Sequence, residues 1–307
     1  MLSKAYKGRF APSPSGPLHL GSLYTALASF LQARKNRGHW FLRVDDLDTF
    51  RVAKGATDSI LKTLEAFSLE WDGAVIYQSQ QTEHYEQAVK SLQDRSLVYP
   101  CNCSRKELLE ANRGLSTIHS ELCLNPKKIS YSEPHALRIR TKEASIKLSD
   151  LLQGEIKQDV HKETGDFVLQ RQDQIYAYHL ATVVDDEFLG ITEVLRGFDL
   201  LDSTPPQIYL QQQLKFKETS FAHIPILTNS KGIKLSKKSL AEPVSAKNPT
   251  KTLLTCLELL AQNPPAELSK ASKSELLEWA IDNWDPLKMR GIEQIDCSIS
   301  TGIPQLD

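Results

Sequence analysis

Apolar positions along the first hundred residues switch between two spacings. Gly8–Ala11 is a short apolar-containing stretch stopped by Pro12, which predicts a first strand. Leu23, Leu27, Phe30 and Leu31 then recur at helical spacing, with Arg34, Lys35 and Arg37 in the last turn and Gly38 as the stop. Trp40–Val44 predicts a second strand, ending in Asp45-Asp46-Leu47-Asp48. Ile60, Leu61, Leu64 and Phe67 mark a second helix, and Tyr85, Ala88, Val89 and Leu92 a third. Strand, helix, strand, helix from the first residues onward predicts an α/β domain built on a parallel sheet.

Near Val98 this rhythm breaks into a cysteine cluster and a polar stretch around Asn125–Glu133. Phe167–Arg171 and Gln174–Tyr178 predict a hairpin that turns at Gln172-Asp173. Strand and helix signals resume at Gly190–Arg196, Gln207–Leu214 and His223–Leu227, and Thr250–Asp285 is helical in pattern. A sheet interrupted and then resumed implies an insertion. The expected organisation is an α/β domain in two halves, 1–97 and 186–245, an inserted domain over 98–185, and a C-terminal helical segment over 246–307.

Composition narrows the class. With 307 residues, 40% hydrophobic and 24% charged, the chain reads as an ordinary globular protein of one interrupted domain or two. No apolar run approaches the roughly 18 residues of a membrane helix, and no apolar segment precedes Pro12 as a signal peptide would require. A cytoplasmic monomer with no membrane contact is the expectation. The net charge of −1 (37 Lys+Arg against 38 Asp+Glu) argues against wrapping long nucleic acid and for a compact contact on a local basic patch. Five cysteines in such a setting do not suggest a disulfide framework.

Three groups of residues carry candidate chemistry. Pro12-Ser-Pro-Ser-Gly-Pro17 can be neither helix nor central strand, so it is a rigid turn. His19-Leu20-Gly21 follows it at a helix start, where free backbone N–H groups attract phosphate and Gly lets the ligand come close. Alone, it could equally be a turn before a core helix. Lys234-Leu235-Ser236-Lys237-Lys238, after the turn Asn229-Ser230-Lys231-Gly232, would alone be a solvated basic loop. Cys101, Cys103, His119 and Cys123 offer three thiolates and an imidazole, a tetrahedral set for one structural Zn²⁺; the alternative is reduced cysteines and a surface histidine.

The string Arg-Phe-Ala-Pro-Ser-Pro-Ser-Gly-Pro-Leu-His-Leu-Gly over Arg9–Gly21 resembles the HIGH region of class I aminoacyl-tRNA synthetases, specifically the glutamyl branch, with Ser22 where the motif has its second histidine. Lys234–Lys238 resembles their KMSKS loop, with Leu235 in the methionine position. The resemblance implies a Rossmann-type parallel sheet with an inserted zinc-containing α+β domain and a short C-terminal helical segment. It implies ATP held by His19, Gly21, Ser22, Lys234 and Lys237, and accompanied by Mg²⁺. Among these, His19, Lys234 and Lys237 stabilise charge as pyrophosphate departs.

For the amino acid, the resemblance implies L-glutamate lined by Arg9, Phe10, Ala11, Pro12 and Ser13. Asp45, in Arg43-Val44-Asp45-Asp46, takes the place of the family's ammonium-binding glutamate and is one methylene shorter. Tyr176-Ala-Tyr178-His179-Leu180 and Val194-Leu-Arg196-Gly197-Phe-Asp199 resemble two further family strings, which assigns Tyr178 and Arg196 to the substrate. Without the resemblance these two read as a buried tyrosine and a surface ion pair. Asp185, Asp186 and Glu187 read as support for the site or as a solvated turn. In the metal set, His119 stands where relatives often have tyrosine.

The segment after Lys238 is too short for the helical anticodon-binding region of glutamyl-tRNA synthetases. This outline, and the Ser274–Trp284 string, resemble the shortened branch that activates glutamate without tRNA. That branch passes glutamate to the queuosine base at the wobble position of tRNA(Asp). A conventional glutamyl-tRNA synthetase using another chain's anticodon reader, a silent synthetase-like tRNA-binding protein, and a small-molecule adenylate former remain as rivals.

Overall fold

The computed structural model describes residues 5–111, 134–142, 145–235 and 242–297. Its first part is β1 (Lys7–Phe10), α1 (Leu20–Lys35), β2 (His39–Val44), α2 (Ala56–Ala66), β3 (Ile76–Tyr77) and α3 (Thr82–Asp94). β1, β2 and β3 pair in parallel in that order, the α/β pattern expected from the alternating periods. Antiparallel pairing follows: β4 (Val98–Cys101), the short α4 (Arg105–Ala111), β5 (Ala136–Ile139), β6 (Ser145–Asp150), β7 (Gly154–Asp159), α5 (Val160–Glu163) and β8 (Val168–Gln170). These strands form a β4-β5-β8 sheet and a β6-β7 hairpin, whose reversal is made by Gly154 at a φ of +77°.

Parallel pairing returns after α6 (Tyr178–Leu189), with β9 (Glu193–Gly197), α7 (Thr204–Leu214), β10 (Ser220–Ile224) and β11 (Ile226–Thr228). β9 pairs with β10, and Thr192 N donates to Lys7 O while Lys7 N donates to Thr192 Oγ1, both at 2.9 Å, which fastens the edge of β1 to the start of β9. The chain ends with α8 (Pro249–Leu259), α9 (Lys273–Asn283) and β12 (Gln294–Asp296), the last parallel to β11.

Helix α1 explains why the C-terminal segment belongs to the fold. The sequence pattern supplied one apolar stripe, but Tyr24, Ala26, Ala28, Ser29 and Ala33 are buried as well as Leu23, Leu27, Phe30 and Leu31. A helix buried on nearly every side needs cover on both faces. The parallel strands cover one face, while Leu253, Leu257, Leu276, Ala280 and Trp284 cover the other. Trp284 Nε1 donates to Gln32 Oε1 at 2.7 Å, and a Ser272–Glu275 capping box starts α9.

Two local expectations are corrected. The second arm of the Phe167–Tyr178 hairpin is reduced to a bridge between Gln170 and Tyr176, because Tyr178 is already the first residue of α6. That helix was not expected; it runs through 185–186, the boundary expected between the inserted domain and the resumed sheet. The His223–Leu227 strand is cut in two at Pro225, which has no N–H for a ladder. No helix among the described residues is long and apolar enough to cross a membrane.

Candidate active site

The strand-turn-helix unit β1–α1 delivers the first motif. His19 is the N-cap of α1, and its Nδ1 accepts from Ser22 N at 3.3 Å while its Nε2 lies 3.0 Å from Ser22 Oγ. Ser22 therefore orients the imidazole, a role that fits its place in the motif. A Cβ on Gly21 would stand 3.2 Å from His19 Cε1 and 3.3 Å from Nδ1, so glycine is needed for the ring to lie over the helix start. The second motif is fastened to the first. Lys234 bridges to Thr228, Leu235 N donates to Leu227 O at 2.8 Å, and the returning chain bonds from Val244 N to Leu18 O at 2.9 Å. Lys234 Nζ pairs with Asp199. Lys237 lies outside the described residues.

A cavity of about 770 Å³ opens between these motifs and the C-terminal ends of β1, β2 and β9, the usual ligand position in doubly wound sheets. Its walls include the whole expected glutamate set, Arg9, Phe10, Ala11, Pro12, Ser13, Asp45, Tyr178 and Arg196, together with His19, Gly21, Ser22 and Lys234. Residues more than 200 positions apart in the chain thus share one chamber. Arg43, Arg51 and Asp199 line it too, without having been assigned a role from the sequence.

The floor of the cavity is a buried charge cluster. Arg9 Nε and Nη2 donate to the two oxygens of Asp186 at 3.1 and 3.2 Å. Arg43, itself fully buried, donates from Nη1 to Asp186 at 2.9 Å and grips Asp45 through Nε at 2.7 Å and Nη2 at 3.3 Å. Asp185 sits 3.6 Å from Arg43 Nε and accepts from Gln78 Nε2 and Tyr85 Oη. Three carboxylates thus meet two guanidinium groups, an arrangement one negative charge in excess that suits an incoming ammonium. Burial pushes the carboxyl of Asp185 up to about 6, with Arg43 opposing it. Burial also pushes Asp45 up against the pull of Arg43, whereas at Asp186 the two arginines outweigh burial and hold the group below its usual value. Asp186 is therefore a fixed anion on α6, an interior support and not a solvated turn.

Arg196, on β9, is almost fully buried and reaches Tyr178 Oη from Nη1 at 3.4 Å. Its Nε donates to His223 Nε2 at 3.0 Å, and Nη2 to Thr204 Oγ1 at 2.8 Å and Leu200 O at 3.2 Å. A surface ion pair, the bland alternative, does not describe it.

The candidate metal ligands are only half described. Cys101 closes β4 and is buried, Cys103 is half-buried beside it, and Arg138 Nε donates to Cys101 Sγ at 3.2 Å. His119 and Cys123 lie outside the described residues, and among those described no group of three or more His, Cys, Asp or Glu could hold a metal.

With this geometry in place, comparison with known proteins is decisive at family level. The family of class I tRNA synthetases (E and Q), catalytic domain, matches residues 6–252. The chain belongs to that family. It is a ligase with the class I synthetase α/β fold. This synthetase is 47% identical over 298 residues to the glutamyl-Q tRNA(Asp) synthetase of Methylococcus capsulatus, covering 96% of each chain. It is 43% identical to the protein of that name from Pseudomonas aeruginosa over 94% of its own length and 96% of the relative's. Among solved structures it is similar to a glutamate tRNA ligase from Elizabethkingia meningosepticum in complex with its amino acid. That match has a TM-score of 0.78 and 25% identity, and covers 95% of this chain and 67% of the other.

Proposed function

We propose that this synthetase activates L-glutamate with ATP, without needing tRNA, and transfers the glutamyl group to the queuosine base at the wobble position of tRNA(Asp). The observation that carries the activation step is the shared cavity. It joins a floor that carries both cations and anions, Arg9 and Arg196 with Asp45, to the helix start at His19–Gly21, whose free N–H groups suit a phosphate. The names of relatives at 43–47% identity, matched over nearly their whole length, support the acceptor.

The chemistry needs no protein nucleophile. An oxygen of the glutamate α-carboxylate forms a bond to the α-phosphorus of ATP as the bond to pyrophosphate breaks. Arg9 and Arg196 hold carboxylates, Asp45 takes the ammonium, and His19, Lys234 and Lys237 face the phosphates. Mg²⁺ bound with ATP supplies further charge neutralisation. A hydroxyl of the queuosine cyclopentene ring then attacks the activated carbonyl carbon and AMP leaves. In the inserted domain, Cys101 and Cys103 would hold one Zn²⁺ with His119 and Cys123. The donor on Cys101 Sγ suits a thiolate there, and the metal would tie that segment together.

Glutamate-dependent exchange of pyrophosphate into ATP, run without tRNA, tests the activation step. Robust exchange with glutamate alone is expected, and it should fall sharply in Lys237→Ala with the fold intact. Exchange that needs tRNA, or none at all, contradicts the reading.

A further inference from the structure

Behind Arg196 lies a buried polar chain that touches no part of the cavity. The parallel register of β9 and β10 sets His223 directly beside Arg196. His223 is fully buried, with Nε2 3.0 Å from Arg196 Nε and Nδ1 2.6 Å from Asp150 Oδ2. A guanidinium has no acceptor, so Nε2 must carry the lone pair. The proton then sits on Nδ1 and is given to Asp150. The other oxygen of Asp150, Oδ1, is pinned by three backbone N–H groups, those of Leu152 at 3.0 Å, Gln153 at 3.0 Å and His223 at 3.2 Å. Thr204 Oγ1 lies 3.1 Å from the same Nε2, where its hydroxyl can donate to that lone pair beside Arg196 Nε.

We propose that Asp150 and His223 are positioning residues that fix the imidazole tautomer facing Arg196, and so aim its Nη1, together with Tyr178, at a substrate carboxylate. This rests on the reading of Arg196 as a glutamate contact. The carboxylate turns the imidazole, the imidazole holds Nε, and Thr204 and Leu200 hold Nη2. Only the Nη1 edge is left toward the cavity, where Tyr178 meets it. A flexible arginine would have to be ordered when substrate arrives; this one is ordered beforehand.

Asp150→Asn is the sharpest test. The three backbone donors keep the amide oxygen at Oδ1, so the amide NH₂ must face Nδ1. The imidazole proton is then forced onto Nε2, against the N–H of Arg196, with Thr204 Oγ1 at 3.1 Å as its one remaining acceptor among the described residues, so the Arg196 Nε bond is lost. In tRNA-free exchange the KM for glutamate should rise about tenfold or more, with kcat and the KM for ATP within about threefold of wild type. His223→Gln, which keeps an acceptor near the place of Nε2, should hold the glutamate KM within about threefold, whereas His223→Leu should raise it as Asp150→Asn does. The Gln and Leu pair decides the matter if Asp150→Asn does not fold. A merely structural chain would lower the melting temperature in all three and leave the glutamate KM alone, and that result overturns the proposal. Arg196→Ala raising the glutamate KM while Asp150→Asn and His223→Leu do not overturns the positioning role alone. Absence of glutamate-dependent exchange in the wild type overturns the glutamate reading and the proposal together.

Discussion

Asp186 holds Arg9 through both of its carboxylate oxygens, at 3.1 and 3.2 Å, and shares the first of them with Arg43 at 2.9 Å. One carboxylate on α6 thereby fixes the guanidinium groups of β1 and β2 across the floor of the cavity. The two strands bring the cations and the helix brings the counter-charge, so the pocket exists only when sheet and helix are packed together.

Asp186→Asn should therefore damage both fold and binding. It leaves two buried guanidinium groups short of an anion, a change that costs about 3 kcal/mol or more in comparable buried pairs. Denaturant unfolding should show that loss, and the KM for glutamate should rise with it. Unchanged stability and unchanged KM would remove Asp186 from the account.

Gly21→Ala isolates the nucleotide side. The added methyl meets the His19 ring at 3.2–3.3 Å and displaces it by a few tenths of an ångström, with no backbone penalty in a helix. Exchange activity should fall about tenfold with the melting temperature nearly unchanged. Full activity would show that the imidazole position does not matter.

The buried histidine gives a signed pH dependence. Burial holds His223 below its usual 6.5, with Arg196 adding to this, Asp150 opposing it and Asp199 contributing a smaller opposing charge. The unfolded chain thus binds the proton more readily. The stability contributed by the neutral imidazole is present above pH 6.5 and is lost as pH falls through the lower folded value. Asp150, held low by His223 and the backbone of Leu152 and Gln153 against its burial, adds a second loss that begins only below its ordinary 3.8. Melting temperature should decline from about pH 6.5 downward in the wild type. His179, which burial pushes down to about 4 with Arg196 adding to it, contributes to the same decline, and Asp185, raised by burial to about 6, opposes it, so His223→Gln should show a shallower first decline than the wild type. Parallel curves would contradict the assignment.

For the inserted segment, purified protein should carry one zinc per chain, and Cys103→Ser should lose it. Chelation should lower the melting temperature of the wild type and not of the variant. A metal-free wild type refutes the zinc assignment.

The sequence made the local elements around the site legible because its signals are local. Periodicity marked α1, α2, α3 and the early strands, and the rigid Pro12–Pro17 turn marked the approach to the start of α1. Tyr178 and Arg196 were legible only through family strings, since nothing in their own spacing distinguishes them from core residues. What stayed hidden are the supports. Asp150 ends one strand and His223 interrupts the apolar run Phe221-Ala222-His223-Ile224, and only the sheet register brings them to Arg196. Leu180, Val183 and Val184 carried a helical signal for α6, but it was masked by the neighbouring acidic run Asp185-Asp186-Glu187. Burial of two of those acids is a tertiary fact, set by the arginines they meet.

The most direct test of the account is where the glutamate goes. The protein is given labelled glutamate, ATP and tRNA from cells replete in or deficient in queuosine, and the charged tRNA is cut to separate the anticodon fragment from the 3′ end. Label confined to the anticodon fragment of queuosine-containing tRNA is the predicted result. Label on the 3′-terminal adenosine, or equal labelling of queuosine-deficient tRNA, would contradict it.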